Sequence, residues 1–182
     1  MQRFCYTEGG RPQRSRMRRL PAPSRGHRMH VRAIDTNDLD LICRHREAMF
    51  REAGRDAQTL ATMTTHFRTW LAPRLADGTY FGFVICERDV PVAGIGLMEI
   101  DWPPHPAHPD QGKRGYVLNV YVEPDARRRG LARQLMQLAD DEFVRRGIRY
   151  VILHATEQGR DLYRQLGWSG TTEMARTLSR VG

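Results

Sequence analysis

The stretch from Val120 to Ala132, Val-Tyr-Val-Glu-Pro-Asp-Ala-Arg-Arg-Arg-Gly-Leu-Ala, restricts the fold more than any other part of the chain. An apolar strand runs into Pro124, which lacks an N–H and so sets a turn. A basic loop follows and opens directly into a helix. Leu131, Leu135, Leu138, Ala139 and Phe143 give that helix one apolar face, and Gly147 stops it. Tyr150-Val151-Ile152-Leu153 then reads as a buried strand. The loop also carries chemistry. A helix start leaves backbone N–H groups unpaired and presents the positive end of the dipole, which together attract an anion. Gly130 has no Cβ and Ala132 is nearly as small, so a ligand can approach the backbone, while Arg127, Arg128 and Arg129 add fixed positive charge. These features suit a pyrophosphate and do not suit a cation; the plainer alternative is a solvated basic helix start. No Gly-Lys-Ser/Thr follows, which excludes a Walker loop, and the three-glycine spacing of a dinucleotide turn is missing.

The rest of the chain reads as alternating elements. His30 to Ile34 alternates like a short strand. Thr36 or Asn37 is expected to cap the next helix, which runs to Gly54 with Asp38 and Asp40 in its first turn. A second helix is predicted over about 59–75, with Leu60, Met63, Phe67, Trp70 and Leu71 at helical spacing. Strands over 80–86 and 92–100 flank a hairpin turn at Arg88-Asp89-Val90-Pro91. A proline- and histidine-rich loop, Trp102 to Arg114, precedes a third strand over 116–122. After the long helix and the buried strand, a short helix spans about Gln158–Leu166, and a last strand is predicted from Thr172 to Leu178. The order β-α-α-β-β-β-α-β-α-β implies one α/β domain, a mixed sheet with helices on both faces.

Charge is unevenly placed. The chain carries 29 Lys and Arg against 21 Asp and Glu, a net +8. Residues 1–28 hold eight arginines and one acid, so nearly all the excess sits there. That segment has no periodicity and reads as a disordered Arg-rich tail. The favoured account of it is leader sequence ahead of a start at Met29 or Met17; the other is an arm for nucleic acid or a membrane surface. The remainder, residues 29–182, is close to neutral, which argues against a nucleic-acid partner. An apolar fraction of 40% supports a packed core. No run approaches the roughly 18–20 apolar residues of a membrane span, so no membrane association is expected. Cys5, Cys43 and Cys86 are odd in number and lack metal-ligand spacing; they read as free thiols in a reducing compartment, the cytoplasm.

The loop resembles motif A of the GNAT superfamily, the acetyl-CoA-dependent N-acetyltransferases. That motif, Arg/Gln-x-x-Gly-x-Gly/Ala after Val-x-Pro, reads here Arg127-Arg-Arg-Gly130-Leu-Ala132 after Val122-Glu-Pro124. About thirty residues later, Gly159-Arg-Asp-Leu162-Tyr163-Arg-Gln-Leu166-Gly167-Trp168 is similar to the family's Ala-x-x-Leu-Tyr-x-x-x-Gly-Phe. The resemblance covers roughly residues 31–178. It implies a GNAT-like fold and an N-acetyltransferase that moves an acetyl group from acetyl-CoA, as co-substrate, to a primary amine of a small molecule or protein. The alternative is a GNAT-like module that binds acetyl-CoA and senses without turnover. No metal is implied, and a homodimer is common in the superfamily.

Carried over position by position, the resemblance implies that Arg127, Arg128, Arg129, Gly130, Leu131 and Ala132 bind the pyrophosphate of CoA. Val120 and Val122 would hold the pantetheine arm, with the Val120 amide as oxyanion donor. Tyr163 would protonate the departing thiolate; its plainer reading is a core aromatic with a satisfied hydroxyl. Thr156 stands where many members have an Asn that contacts CoA, and it can also cap the following helix. On the motif strand the family often has a Glu base, and this chain has Asn119, an amide that can orient but not accept a proton. Glu99 is the first choice for the base. Asp101, His105, His108 and Glu173 follow, and His154 reads as structural. His105 and His108 lack a third partner for a metal. The Trp102–Arg114 loop, together with Met49, Phe50, Phe67 and Trp70, is a candidate wall for the acceptor pocket.

Overall fold

A computed structural model describes residues 29–177. The Arg-rich segment 1–28 lies outside the described residues. Five strands form one sheet in sequence order: β1 (Met29–Ala33), β2 (Tyr80–Glu87), β3 (Val90–Asp101), β4 (Lys113–Val122) and β5 (Val151–Leu153). The first four are antiparallel neighbours, and β5 lies parallel to β4. Helices α1 (Leu39–Glu52) and α2 (Ala57–Ala76) join β1 to β2, α3 (Leu131–Arg145) joins β4 to β5, and α4 (Arg160–Gln165) follows β5.

Local chemistry explains most of these boundaries. Arg88 and Asp89 both have positive φ (51° and 67°), the primed turn whose twist suits a tight hairpin. The turn is therefore shorter than predicted, and Val90 and Pro91 join β3. Pro91 is tolerated because it sits opposite Cys86, where the register is irregular. The cap at the first helix falls one residue earlier than expected. Asp35 accepts from the Asn37 N–H at 2.7 Å, and the Asp38 carboxylate reaches back to the Asp35 N–H at 2.9 Å. A 3-10 turn, Thr36–Asp38, absorbs the difference. Asp38 is buried and also takes two 2.7 Å hydrogen bonds from Arg32, which tie β1 to α1. Asp56 caps α2 through the Thr59 N–H at 2.9 Å.

Both faces of the sheet are covered, as predicted. Leu131, Leu135, Met136, Ala139 and Phe143 of α3 pack on Ile85, Ala93, Ile95, Leu97 and Val117. On the other face, Ile42 and Cys43 of α1 and Phe67, Leu71 and Leu75 of α2 close over Tyr80. The predicted last strand from Thr172 to Leu178 is not formed among the described residues. Residues 168–177 carry no regular secondary structure, and Met174 is 94% exposed. The segment Ser169–Thr177 offers only Met174 and Ala175 as apolar side chains, too few to bury a strand face.

Two irregularities in β4 set up the functional site. From Gly96↔Leu118 to Gly94↔Tyr121, β3 advances two residues while β4 advances three, so β4 carries a bulge. Asn119, with φ 55°, sits in it; Asn tolerates that region better than most residues. Pairing with β5 extends only over Gly115–Val117 against Val151–Leu153. Beyond Val117 the two strands part.

Candidate active site

The parting strands open a cleft of about 750 Å³. Its walls come from the C-terminal half of α1, from Tyr116–Val122, from the loop and first turn of α3, and from the segment Leu153–Gln165.

At one end lies the start of α3. Gly130 caps this helix in the left-handed region, φ 79°, and no side chain caps the first-turn N–H groups. A Cβ at Gly130 would meet no atom within 4 Å, so the space in front of these donors is open. Backbone N–H groups and a helix dipole exposed in this way favour a negative charge. The three arginines before it diverge. Arg127 donates to both Glu52 carboxylate oxygens (2.6 and 2.8 Å) and to the Val122 carbonyl (3.0 Å), so it fastens the loop to α1. Arg129 turns away to Glu87 (2.9 and 3.1 Å) and does not line the cleft. Arg128, with φ 60°, lines it and has no ion pair among the described residues. Arg133, which motif matching passes over, lines it too, because it projects from the first turn of α3.

In the middle, Val120 and Val122 line the cleft, as do Leu131 and Ala132. Across from them stand Thr156 and Tyr163. Thr156 precedes a 3-10 turn, Glu157–Gly159, but makes no side-chain cap, which leaves its hydroxyl available. Tyr163 packs its ring against the edge of Trp168, centroids 6.3 Å apart, and its hydroxyl has no protein partner among the described residues. A Cβ on residue 159 would come within 2.9 Å of the Tyr163 ring, so Gly159 makes room for it. Burial pushes the Tyr163 pKa up, which keeps it a proton donor through the neutral range.

At the far end the expected residues are only partly assembled. Asn119 lines the cleft but is buried, and both ends of its amide are engaged: Oδ1 accepts from Arg46 Nη1 (2.7 Å), and Nδ2 donates to the Tyr80 hydroxyl (2.8 Å). Glu99 is not brought to the cleft. It pairs with Lys113 (3.2 Å) and Arg146 (3.1 Å). Burial acts to raise its pKa, but those two cations outweigh it, and its carboxyl lies below the ordinary range. Asp101, His105 and His108 also lie outside the cleft. The loop bearing them folds on itself. Arg114 lies 4.0 Å over the Trp102 ring and donates to His108 Nε2 at 2.9 Å, so the loop does not form an acceptor wall. Among the described residues no group of three or more His, Cys, Asp and Glu could hold a metal. Met49 and Phe50 do line the cleft, whereas Phe67 is core, stacked on Trp70 at 5.6 Å.

His154 is not structural. β5 ends at Leu153, so His154 is the first residue past it, where the strands part. It lines the cleft with a 70% exposed side chain. Its Nδ1 lies 2.7 Å from the Tyr116 hydroxyl, and its Nε2 lies 3.9 Å from Glu173. Sequence spacing hides this pair, because Tyr116 and His154 are brought together only by the β4–β5 register.

The chain belongs to the acetyltransferase (GNAT) family, whose sequence model matches residues 42–168. It is similar to the crystal structure of a GCN5-related N-acetyltransferase from Ralstonia eutropha JMP134. That chain is 60% identical, with 83% of this chain and 99% of that one covered and a TM-score of 0.82. A predicted acetyltransferase from Clostridium acetobutylicum, solved with acetyl-CoA, shares the fold at 24% identity, with 83% and 96% covered and a TM-score of 0.76. An aminoglycoside acetyltransferase from an uncultured soil metagenome, in complex with sisomicin, shares it at 14% identity, with 85% and 97% covered and a TM-score of 0.58. No curated protein matches the chain. Among the described residues no helix is long and apolar enough to cross a membrane.

Proposed function

We propose that this enzyme transfers an acetyl group from acetyl-CoA to a primary amine of a small molecule or protein by direct attack. The observation that carries the reading is the parting of β4 from β5 after Val117, which opens one continuous cleft from the Gly130 cradle to Tyr163 and His154. In this reading the N–H groups at the start of α3 hold the pyrophosphate, with Gly130 leaving space and Arg128 and Arg133 adding charge. Val120 and Val122 guide the pantetheine arm, and the Val120 N–H faces the thioester oxygen as an oxyanion donor. The amine nitrogen attacks the carbonyl carbon; a C–N bond forms and the C–S bond breaks. Tyr163 gives its proton to the departing thiolate. The proton released by the amine passes to the Tyr116–His154 pair, whose hydroxyl and imidazole lie 2.7 Å apart in the cleft wall. Glu99, paired with two cations outside the cleft, leaves that role to them. Two buried free thiols, Cys43 and Cys86, suit a cytoplasmic enzyme.

Acetyl-CoA binding by calorimetry, followed by thiol release with a panel of amines, tests the reading. Micromolar binding and amine-dependent release are expected. No binding, or binding without release for any amine, overturns it.

A further inference from the structure

The acceptor half of the cleft holds a cation without a counter-ion among the described residues. Arg46 projects from α1 and lines the cleft. Its guanidinium lies 4.5 Å from the centroid of the Phe67 ring and 5.0 Å from that of Phe50. Its one hydrogen-bond acceptor among the described residues is Asn119 Oδ1, and its Nε is buried without a partner. No carboxylate of the described residues forms an ion pair with it. A guanidinium carries five N–H donors and stays charged at any working pH, so one that is half-buried with a single acceptor is under-satisfied. The burial itself pulls its pKa down, the direction expected when no anion compensates.

This cation is held in place with some care. Asn119, which orients it, is locked by the Tyr80 hydroxyl at 2.8 Å. That hydroxyl lies where the side chain of residue 96 would be: a Cβ on Gly96 would fall 1.9 Å from it. A run of contacts from Gly96 through Tyr80 and Asn119 therefore fixes a guanidinium at the cleft wall with its remaining donors unpaired. Among the described residues the cleft has a single lining acid, Glu52, and it is bound by Arg127 and by the Tyr121 hydroxyl. A polyamine or aminoglycoside would meet Arg46 with nothing to neutralise its own charge.

We infer that the acceptor is a primary amine that also bears a carboxylate, and that Arg46 binds that carboxylate while the amine faces the thioester. The inference rests on the acetyl-CoA reading above. A planar guanidinium fork matches a carboxylate, and a lone arginine is too little charge for a phosphate on the acceptor side. The ligand supplies the counter-ion that the fold omits, so an acceptor without the carboxylate leaves Arg46 as under-satisfied as before.

The test compares amino acids with their primary amides, which keep the side chain and lack the carboxylate, at matched concentrations of free amine because amidation makes the ammonium more acidic. Spermidine and phosphoethanolamine complete the panel, with kcat and KM read from thiol release. A charge-assisted hydrogen bond predicts that the amides lose roughly 10- to 150-fold in kcat/KM, mainly through KM. Arg46→Gln, which can still bond Asn119, should bring acid and amide within about threefold of each other, with acetyl-CoA affinity unchanged by calorimetry; Arg46→Lys should keep part of the preference. Equal use of acids and amides by the wild type overturns the inference. So does preference for spermidine or phosphoethanolamine, failure to acetylate any carboxylate-bearing amine, or undiminished discrimination in Arg46→Gln. If Arg46→Gln does not fold, the wild-type comparison decides. Loss of acetyl-CoA binding by the wild type marks failure of the underlying reading; binding with the wrong acceptor preference marks failure of this inference alone.

Discussion

Gly130 separates binding from stability more cleanly than any other position. Its φ of 79° penalises any residue with a Cβ by about 1–2 kcal/mol. A Cβ there meets no protein atom within 4 Å, so no clash adds to that penalty. Gly130→Ala should therefore lower Tm by roughly 2–8 °C, taking about 2–4 °C per kcal/mol for a domain of this size. Gly130→Glu bears the same backbone penalty, but its carboxylate sits at the positive end of α3, which returns about 0.3–1 kcal/mol. The Glu variant should be as stable as the Ala variant or slightly more so. For a bound pyrophosphate the order reverses. Two phosphate charges roughly 6 Å from the new carboxylate, even at the dielectric of water, add repulsion of about 1.4 kcal/mol, a tenfold loss of affinity beyond that of Ala. Thermal melts and calorimetry with acetyl-CoA on the two variants read both quantities. Equal affinity in Ala and Glu, or losses of affinity that merely follow losses of Tm, would refute the placement of the phosphates at this helix start.

Tyr163→Phe removes the proton donor while keeping the ring against Trp168, so kcat should fall about 10²- to 10⁴-fold with acetyl-CoA affinity nearly unchanged; a drop below threefold would dismiss the acid role. Glu99→Gln should change kcat/KM by less than threefold, since its carboxylate serves Lys113 and Arg146 outside the cleft, and a hundredfold loss would return the base to that strand. Stability should fall on acidification in two stages. Burial holds His45 below its ordinary value of 6.5 against the opposing pull of Glu123, so the unfolded chain binds a proton first and stability drops as pH falls below about 6.5. Burial acts to raise Asp38, but Arg32 and the Asp35 N–H outweigh it, and its depressed pKa adds a second loss below about pH 4. Urea midpoints across pH 8 to 3 follow both stages. His45→Gln should remove the upper one, and a wild-type profile flat from pH 7.5 to 5.5 would contradict it.

The helix start at one end of the cleft was legible in the sequence because its parts are consecutive. A strand stop at Pro124, a glycine and the first turn of a helix are neighbouring residues, and local rules govern every step. Tyr163 was singled out by the resemblance of its motif, while its place in the cleft wall, with Gly159 making room for its ring, came from the fold. Adjacent arginines were not separable in this way. Backbone torsions aim side chains, and around the positive φ at Arg128 the first two arginines line the cleft, Arg127 held by Glu52, while Arg129 turns outward to Glu87. The predicted final strand failed because extended propensity alone does not form a strand without an apolar face to bury.

The sequence alone determined a sheet with helices on both faces and a glycine-led start to α3, because hydrophobic period and helix-end chemistry act over a few residues. Only the tertiary structure decided what faces that site. Residue 46 lies on α1, residues 116 and 119 on β4 and residue 154 just past β5, and they share one cleft because β4, with its bulge at Asn119, parts from a β5 that ends at Leu153. Register and the placement of that bulge are properties of paired strands, which no single segment encodes.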